Sequence, residues 1–190
     1  MLKTACAQAR KWQEEGLPPI AMAVNISAAQ LHRGSLAKTV KDILGETGIA
    51  PEFLELEITE SQGIPTNMNM TSQMEEFWET GLRLALDDFG TGYSSFSYVR
   101  RFRFDKLKID GSFVQNLNTN ENDAHIVSGI IGLGKIFKMD VIAECVETKE
   151  QLDILRSLGC DQIQGYYFSR PLGAEAFAKK LRSHHASLPA

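Results

Sequence analysis

No stretch of the 190-residue sequence approaches the roughly 18 consecutive apolar residues of a membrane-spanning helix, so none is expected. The opening MLKTACAQARKW interleaves charge with alanine and lacks an uninterrupted apolar core, which excludes a signal-peptide reading. Cysteine is scarce: Cys6, Cys145 and Cys160 are an odd number with no CxxC pair. That pattern excludes a disulfide framework and a zinc knuckle, and predicts reduced thiols in a cytoplasmic protein. His32, His125, His184 and His185 have no mutual metal-binding spacing. A basic excess is missing too, since 20 Lys and Arg against 24 Asp and Glu leave a net charge of −4. This argues against a partner that is a DNA or RNA polymer or an anionic membrane, and leaves room for a local patch that takes a small phosphorylated ligand. Repeats, low-complexity tracts and linkers are absent apart from a weak polar loop at residues 118–123. At 43% hydrophobic and 23% charged, residues 1–190 read as one globular domain. A chain of this length buries roughly 70% of its unfolded surface without staples. Residues 183–190 are expected to fray.

Six runs have the composition of buried strands: 21–27 (AMAVNIS), 53–59 (FLELEIT), 83–89 (RLALDDF), 106–112 (KLKIDGS), 140–146 (DVIAECV) and 162–168 (QIQGYYF). Between them, apolar residues recur at helical spacing. The markers are Leu2, Cys6, Ala9 and Trp12; Leu36, Val40, Ile43 and Leu44; Met70, Met74, Phe77 and Trp78; Ile126, Val127, Ile130, Ile131 and Leu133; and Leu152, Leu155 and Leu158. Gly48, Gly81 and Gly159 stand where helix stops belong. Met68, Met70 and Met74 read as helix packing. Strand–helix alternation predicts an α/β fold with a mostly parallel sheet, either doubly wound or a (β/α)8 barrel. A barrel has eight strands in about 250 residues, two units more than are found here.

Polar residues interrupt the C-terminal part of successive strands: Asn25, Glu57, Asp87 with Asp88, Lys108 with Asp110, and Glu144 with Glu147, followed by Gln164 on the last. In a barrel these positions converge on one mouth. So many acids require a cation, and a donor set of oxygens alone selects magnesium, manganese or calcium over zinc. Of two adjacent acids, one can bridge two metals while its neighbour binds one, an arrangement suited to in-line attack on a phosphodiester. Each feature has a plainer alternative. Asn25 with Ser27 suits a helix cap, Glu57 and Glu60 suit exposed strand ends, and Gly90-Thr91-Gly92 suits a tight turn. Glu144 and Glu147 suit a helix start, and Lys108 suits a counter-charge for Asp110. Asp88-Phe89-Gly90 matches a kinase metal motif, but no Gly-rich loop, VAIK or HRD element precedes it. It is the succession on consecutive strand ends that favours a site.

In this order, AVNIS, LELEITES, LALDDFGTGYSS, KLKIDGSFV, VIAECVET and QGYYFSRPL closely resemble the EAL domain family from Leu2 to about Leu181. The family comprises metal-dependent phosphodiesterases that hydrolyse cyclic di-GMP to linear pGpG. The resemblance implies a modified (β/α)8 TIM-type barrel, of which about six βα units are present and roughly two N-terminal strands are missing. It implies two magnesium or manganese ions. Asn25, Glu57 and Asp87 would hold one; Asp87 and Asp88 would reach the other, with Asp110 close by. By the same resemblance Glu144 is a metal-site or general-base carboxylate and Glu147 a supporting acid. Lys108 orients the attacking water, and Gln164 lines the substrate pocket. Glu60 anchors the loop Phe89 to Ser95, through which a homodimer is implied.

Three departures accompany the resemblance. Cys145 stands where the family usually has glycine, and Gly111 where arginine is common. The Glu-Ala-Leu triplet that names the family occurs nowhere in the sequence. The retained acids favour an enzyme. The lost glutamate favours a catalytically silent cyclic di-GMP receptor, and an interaction module that uses the barrel surface is a third reading.

Overall fold

The computed structural model describes residues 1–32, 35–60, 68–91 and 96–186. Six parallel strands form one sheet in sequence order: β1 (Met22–Ile26), β2 (Leu54–Thr59), β3 (Arg83–Phe89), β4 (Lys106–Ile109), β5 (Asp140–Ala143) and β6 (Gln162–Ile163). Among the described residues the helices are α1 (Leu2–Glu14), α2 (Ala28–His32), α3 (Leu36–Thr47), α4 (Met68–Thr80), α5 (Phe96–Arg101), α6 (Gly111–Gln115), α7 (Glu121–Phe137), α8 (Lys149–Leu158) and α9 (Ala174–Ala186). These are six consecutive βα units of a TIM-barrel-like fold.

Alternation along the strands sorts the sheet into two faces. Leu54, Leu56 and Ile58 of β2, Leu84 and Leu86 of β3, Leu107 and Ile109 of β4, and Val141 of β5 are buried in the main core. Met74 and Phe77 of α4, Val127 and Ile131 of α7, and Leu152 and Leu155 of α8 join them there. Each such side chain contributes about 1.5–3 kcal/mol relative to exposure. The intervening residues, Glu55 and Glu57, Ala85 and Asp87, Lys106 and Lys108, share the other face. Parallel register sets Asn25 beside Glu57 and Thr59 beside Asp87. Between Leu86 and Phe89 the β3–β4 register shifts, next to the paired aspartates.

Helix ends follow the expected chemistry. Gly48 and Gly159 close α3 and α8 in the left-handed conformation that a side chain disfavours. Three strands are markedly shorter than their sequences suggest. β4 ends at Ile109, not Ser112, because Asp110 caps a helix that starts at Gly111. β5 ends at Ala143 because Cys145 turns to φ +56, and β6 ends at Ile163 because Gly165 lies against the Val146 backbone. α9 runs to Ala186, and residues 187–190 of the expected tail lie outside the described residues. Met74 is fully buried, whereas the side chains of Met68 and Met70 lie outside what the structure describes. Residues 92–95 of the Phe89–Ser95 loop also lie outside the described residues.

Candidate metal centre

Lys108 is the hub of the polar face. Its Nζ lies 2.7 Å from Glu57 Oε1, 2.9 Å from Asp87 Oδ1 and 2.7 Å from Glu144 Oε1, joining β2, β3 and the end of β5 to β4. Lys108 is 4% exposed, Asp87 5% and Glu57 6%, so these charges are sequestered from water. Burial alone would lower the Lys108 pKa, but the bonds to Glu144, Glu57 and Asp87 outweigh it and hold the ammonium firmly charged. An ammonium has three N–H donors, and all three are spent on carboxylates. This arrangement leaves none for a water, and Lys108 is not paired with Asp110 as its position two residues away had suggested.

Asp87, Asp88 and Glu144 each place a carboxylate oxygen within 4.8 Å of the others. Asp88 reaches this position through a left-handed backbone, φ +54, and donates its N–H to Asp87 Oδ1 at 3.0 Å. Burial, and then the charges of Asp87 and Asp110, raise the Asp88 pKa against the pull of Lys108. Burial likewise raises Glu144 despite its bond to Lys108, and Asp87 and Glu57 add to the rise. Four carboxylates, Glu57, Asp87, Asp88 and Glu144, against one ammonium leave net negative charge in a confined site whose acceptors are all oxygens. That donor set fits a hard divalent cation.

Protons and metal compete for Asp88 and Glu144, so manganese affinity is expected to fall as pH is lowered toward the carboxylate range. The raised pKa values widen the pH interval over which that competition acts. Without metal the sign reverses. The stability these two groups contribute is fully present below their unfolded pKa and is lost as pH rises through the folded one. Manganese titrations and urea unfolding in chelator across this interval would check both. An affinity independent of pH would contradict the assignment.

The remaining candidates sit around this centre. Asn25 neighbours Glu57 across β1–β2 and is exposed, whereas Ser27, not Asn25, caps α2: Gln30 Oε1 accepts from the Ser27 N–H at 3.0 Å, and Ser27 Oγ from the Gln30 N–H at 3.4 Å. Asp110 is the N-cap of α6, accepting from the Ser112 N–H at 2.9 Å and from its hydroxyl. Glu60 is buried and accepts the Gly90 N–H at 2.8 Å, tying the end of β2 to the turn after Asp88. Glu147 and Gln164 line a neighbouring cavity of about 550 Å³ together with Cys145, Tyr166, Phe168 and Arg170. Phe177 and Lys180 of α9 also reach this cavity. The sequence signal for them is a helical spacing that starts after Gly173 and continues to Leu181. A second ion pair, between buried Glu55 and half-buried Lys106 at 2.8 Å, is also legible, since LELEIT and KLKI alternate to put it on the same face as Glu57 and Lys108.

The cavity wall depends on Gly165. A Cβ there would collide with the backbone N and O of Val146, which cannot move without breaking the Val146 N–H bond to Gln164 O at 3.0 Å. Gly165→Ala is therefore expected to cost about 1–3 kcal/mol, read from urea unfolding.

The family model for the EAL domain matches residues 1–171. A cyclic di-GMP phosphodiesterase of Pseudomonas aeruginosa, NbdA, is 40% identical over 185 residues, 97% of this chain and 24% of that protein. The first curated relatives share only 21% to 24% of their own length with this chain. The solved cyclic di-GMP complex of the phosphodiesterase PaMucR superposes with a TM-score of 0.87 at 38% identity, covering 93% of this chain and 71% of that one. A manganese and cyclic di-GMP complex of BlrP1 from Klebsiella pneumoniae gives 0.80 at 30% identity, covering 89% and 43%.

Proposed function

The chain belongs to the EAL domain family, and from that membership we propose that it is a metal-dependent phosphodiesterase that opens cyclic di-GMP to linear pGpG. The observation that carries the reading is the convergence of Glu57, Asp87 and Glu144 on Lys108, with Asp88 alongside, at the C-terminal strand ends. A receptor has no need of so many sequestered acids. Asn25, Glu57 and Asp87 would hold one magnesium or manganese ion, and Asp87 and Asp88 a second beside Asp110. Such ions supply Lewis acidity toward the phosphate and acidify a bound water. Glu144, with its raised pKa, suits the acceptance of a proton from the attacking water. A Lys108 N–H would be available to that water, and to charge developing on the phosphate, if one of its three carboxylates instead held a metal. Gln164 and Glu147 border the cavity that would take the nucleotide, and Glu147 acts as a supporting acid there.

Cyclic di-GMP and this chain, with manganese or magnesium, are expected to yield pGpG by chromatography. Binding of cyclic di-GMP without product would replace the enzyme by a receptor, and neither binding nor product would sink both. The partner of the Phe89–Ser95 side would be a second copy. Phe89, the first residue of that segment, lines an apolar groove with Ile126, Ile130, Leu133 and Ile136, and Ile136 is 76% exposed. Ile136→Asp should shift sedimentation toward monomer, whereas an unchanged oligomeric state would remove this face from consideration.

A further inference from the structure

The last ladder bond between β4 and β5 runs from the Glu144 N–H to Ile109 O at 3.2 Å. Beyond it the two segments approach each other at Gly111 and Cys145. A Cβ on Gly111 would lie 2.5 Å from Cys145 Sγ and 2.7 Å from Cys145 Cβ, inside any tolerable approach. Gly111 is buried, and the Cys145 side chain stands in the space that a residue at 111 would need. Cys145 meanwhile holds φ +56, a backbone state that residues with a Cβ rarely adopt. The two departures from the family pattern therefore meet in space, one residue beyond Asp110 on one side and one beyond Glu144 on the other.

We propose that Cys145 and Gly111 are a matched positioning pair, in which the thiol fills the place of a side chain at 111 and fixes the Asp110 and Glu144 carboxylates relative to each other at the metal centre. This rests on the metal-dependent reading above. Asp110 is already pinned to Ser112 as the cap of α6, and Glu144 to Lys108. Their separation is thus set by how closely the chain after β4 approaches the chain after β5. A methyl at 111 with Cys145 present would wedge the two apart, and metal coordination is sensitive to displacements of that size. With glycine at 145 the wedge has nothing to strike.

The test is a double-mutant cycle on this chain, with Gly111→Ala, Cys145→Gly and both together, read by electron paramagnetic resonance of free manganese and by urea unfolding. Gly111→Ala is expected to weaken manganese binding about tenfold in the parent and less than about twofold in the Cys145→Gly background. A purely packing role would move the unfolding midpoint and leave manganese affinity in place. That result, or an equal loss of affinity in both backgrounds, overturns the proposal. If Gly111→Ala alone does not fold, the double variant must fold and bind manganese, and its failure overturns the pairing. Absence of manganese uptake by the parent chain would overturn the metal-dependent function itself. Uptake with additive effects would overturn only the pairing.

Discussion

Replacing Asp87 by alanine is expected to abolish metal-dependent hydrolysis of cyclic di-GMP and to leave the metal-free chain folded. Asp87 belongs both to the group around Lys108 and to the oxygen cluster with Asp88 and Glu144. No other residue is in hydrogen-bond contact with Lys108 and also adjacent to Asp88 in sequence, so its loss would reach both metal positions at once. Removal should weaken manganese binding at least about tenfold and lower turnover by roughly a thousandfold or more. Stability follows a different balance. The centre carries more carboxylates than cations, so removing one relieves repulsion. Against this, Asp87 Oδ1 accepts the Asp88 N–H, and leaving that donor unpaired costs about 1–3 kcal/mol. Asp87→Asn separates the two effects, because the amide oxygen keeps the acceptor while the charge is lost. Both variants should lack turnover, with the asparagine form the more stable. Turnover unchanged in either would refute the assignment of Asp87 as the shared ligand.

Much of this arrangement was legible in the sequence because it depends on strand alternation. In LELEIT the leucines and isoleucine must share one face and Glu55 and Glu57 the other, and RLALDDF repeats the pattern with Asp87. Parallel order then stacks those residues across neighbouring strands, and β3 spans the seven residues expected. What alternation could not supply was partner choice. Lys108 lies two residues from Asp110 in sequence, yet three carboxylates from three other elements claim its donors. The ends of β5 and β6 were misjudged for a related reason. Glu144 to Val146 and Gln164 to Phe168 have strand-like composition, but the left-handed turn at Cys145 and the close approach of Gly165 to Val146 are tertiary events that composition does not record. The short helices α2, α5 and α6 have too few turns to show a period. The cap at Ser27 is the exception, written locally as Ser27 followed three residues later by Gln30.

Lys108→Met is expected to make folding depend on metal. The Lys108 ammonium is bonded directly to Glu57, Asp87 and Glu144, and it is almost wholly buried. Removing one partner from such a group leaves uncompensated buried charge, at a cost of about 3–5 kcal/mol. Some of that cost disappears as Glu144 takes up a proton, which its raised pKa already favours. Divalent metal offers a second route, since it brings positive charge to the same carboxylates. Manganese should therefore restore stability to the variant by more than it adds to the parent, measured as the shift in urea midpoint between chelator and excess metal. The variant should also bind manganese at least as tightly as the parent, because the ammonium no longer competes for the acids. Turnover should nonetheless fall about a hundredfold or more, since the charge that meets the developing phosphate is gone. An equal loss of stability with and without manganese would mean that Lys108 and the metal do not share these carboxylates, and the centre would have to be placed elsewhere.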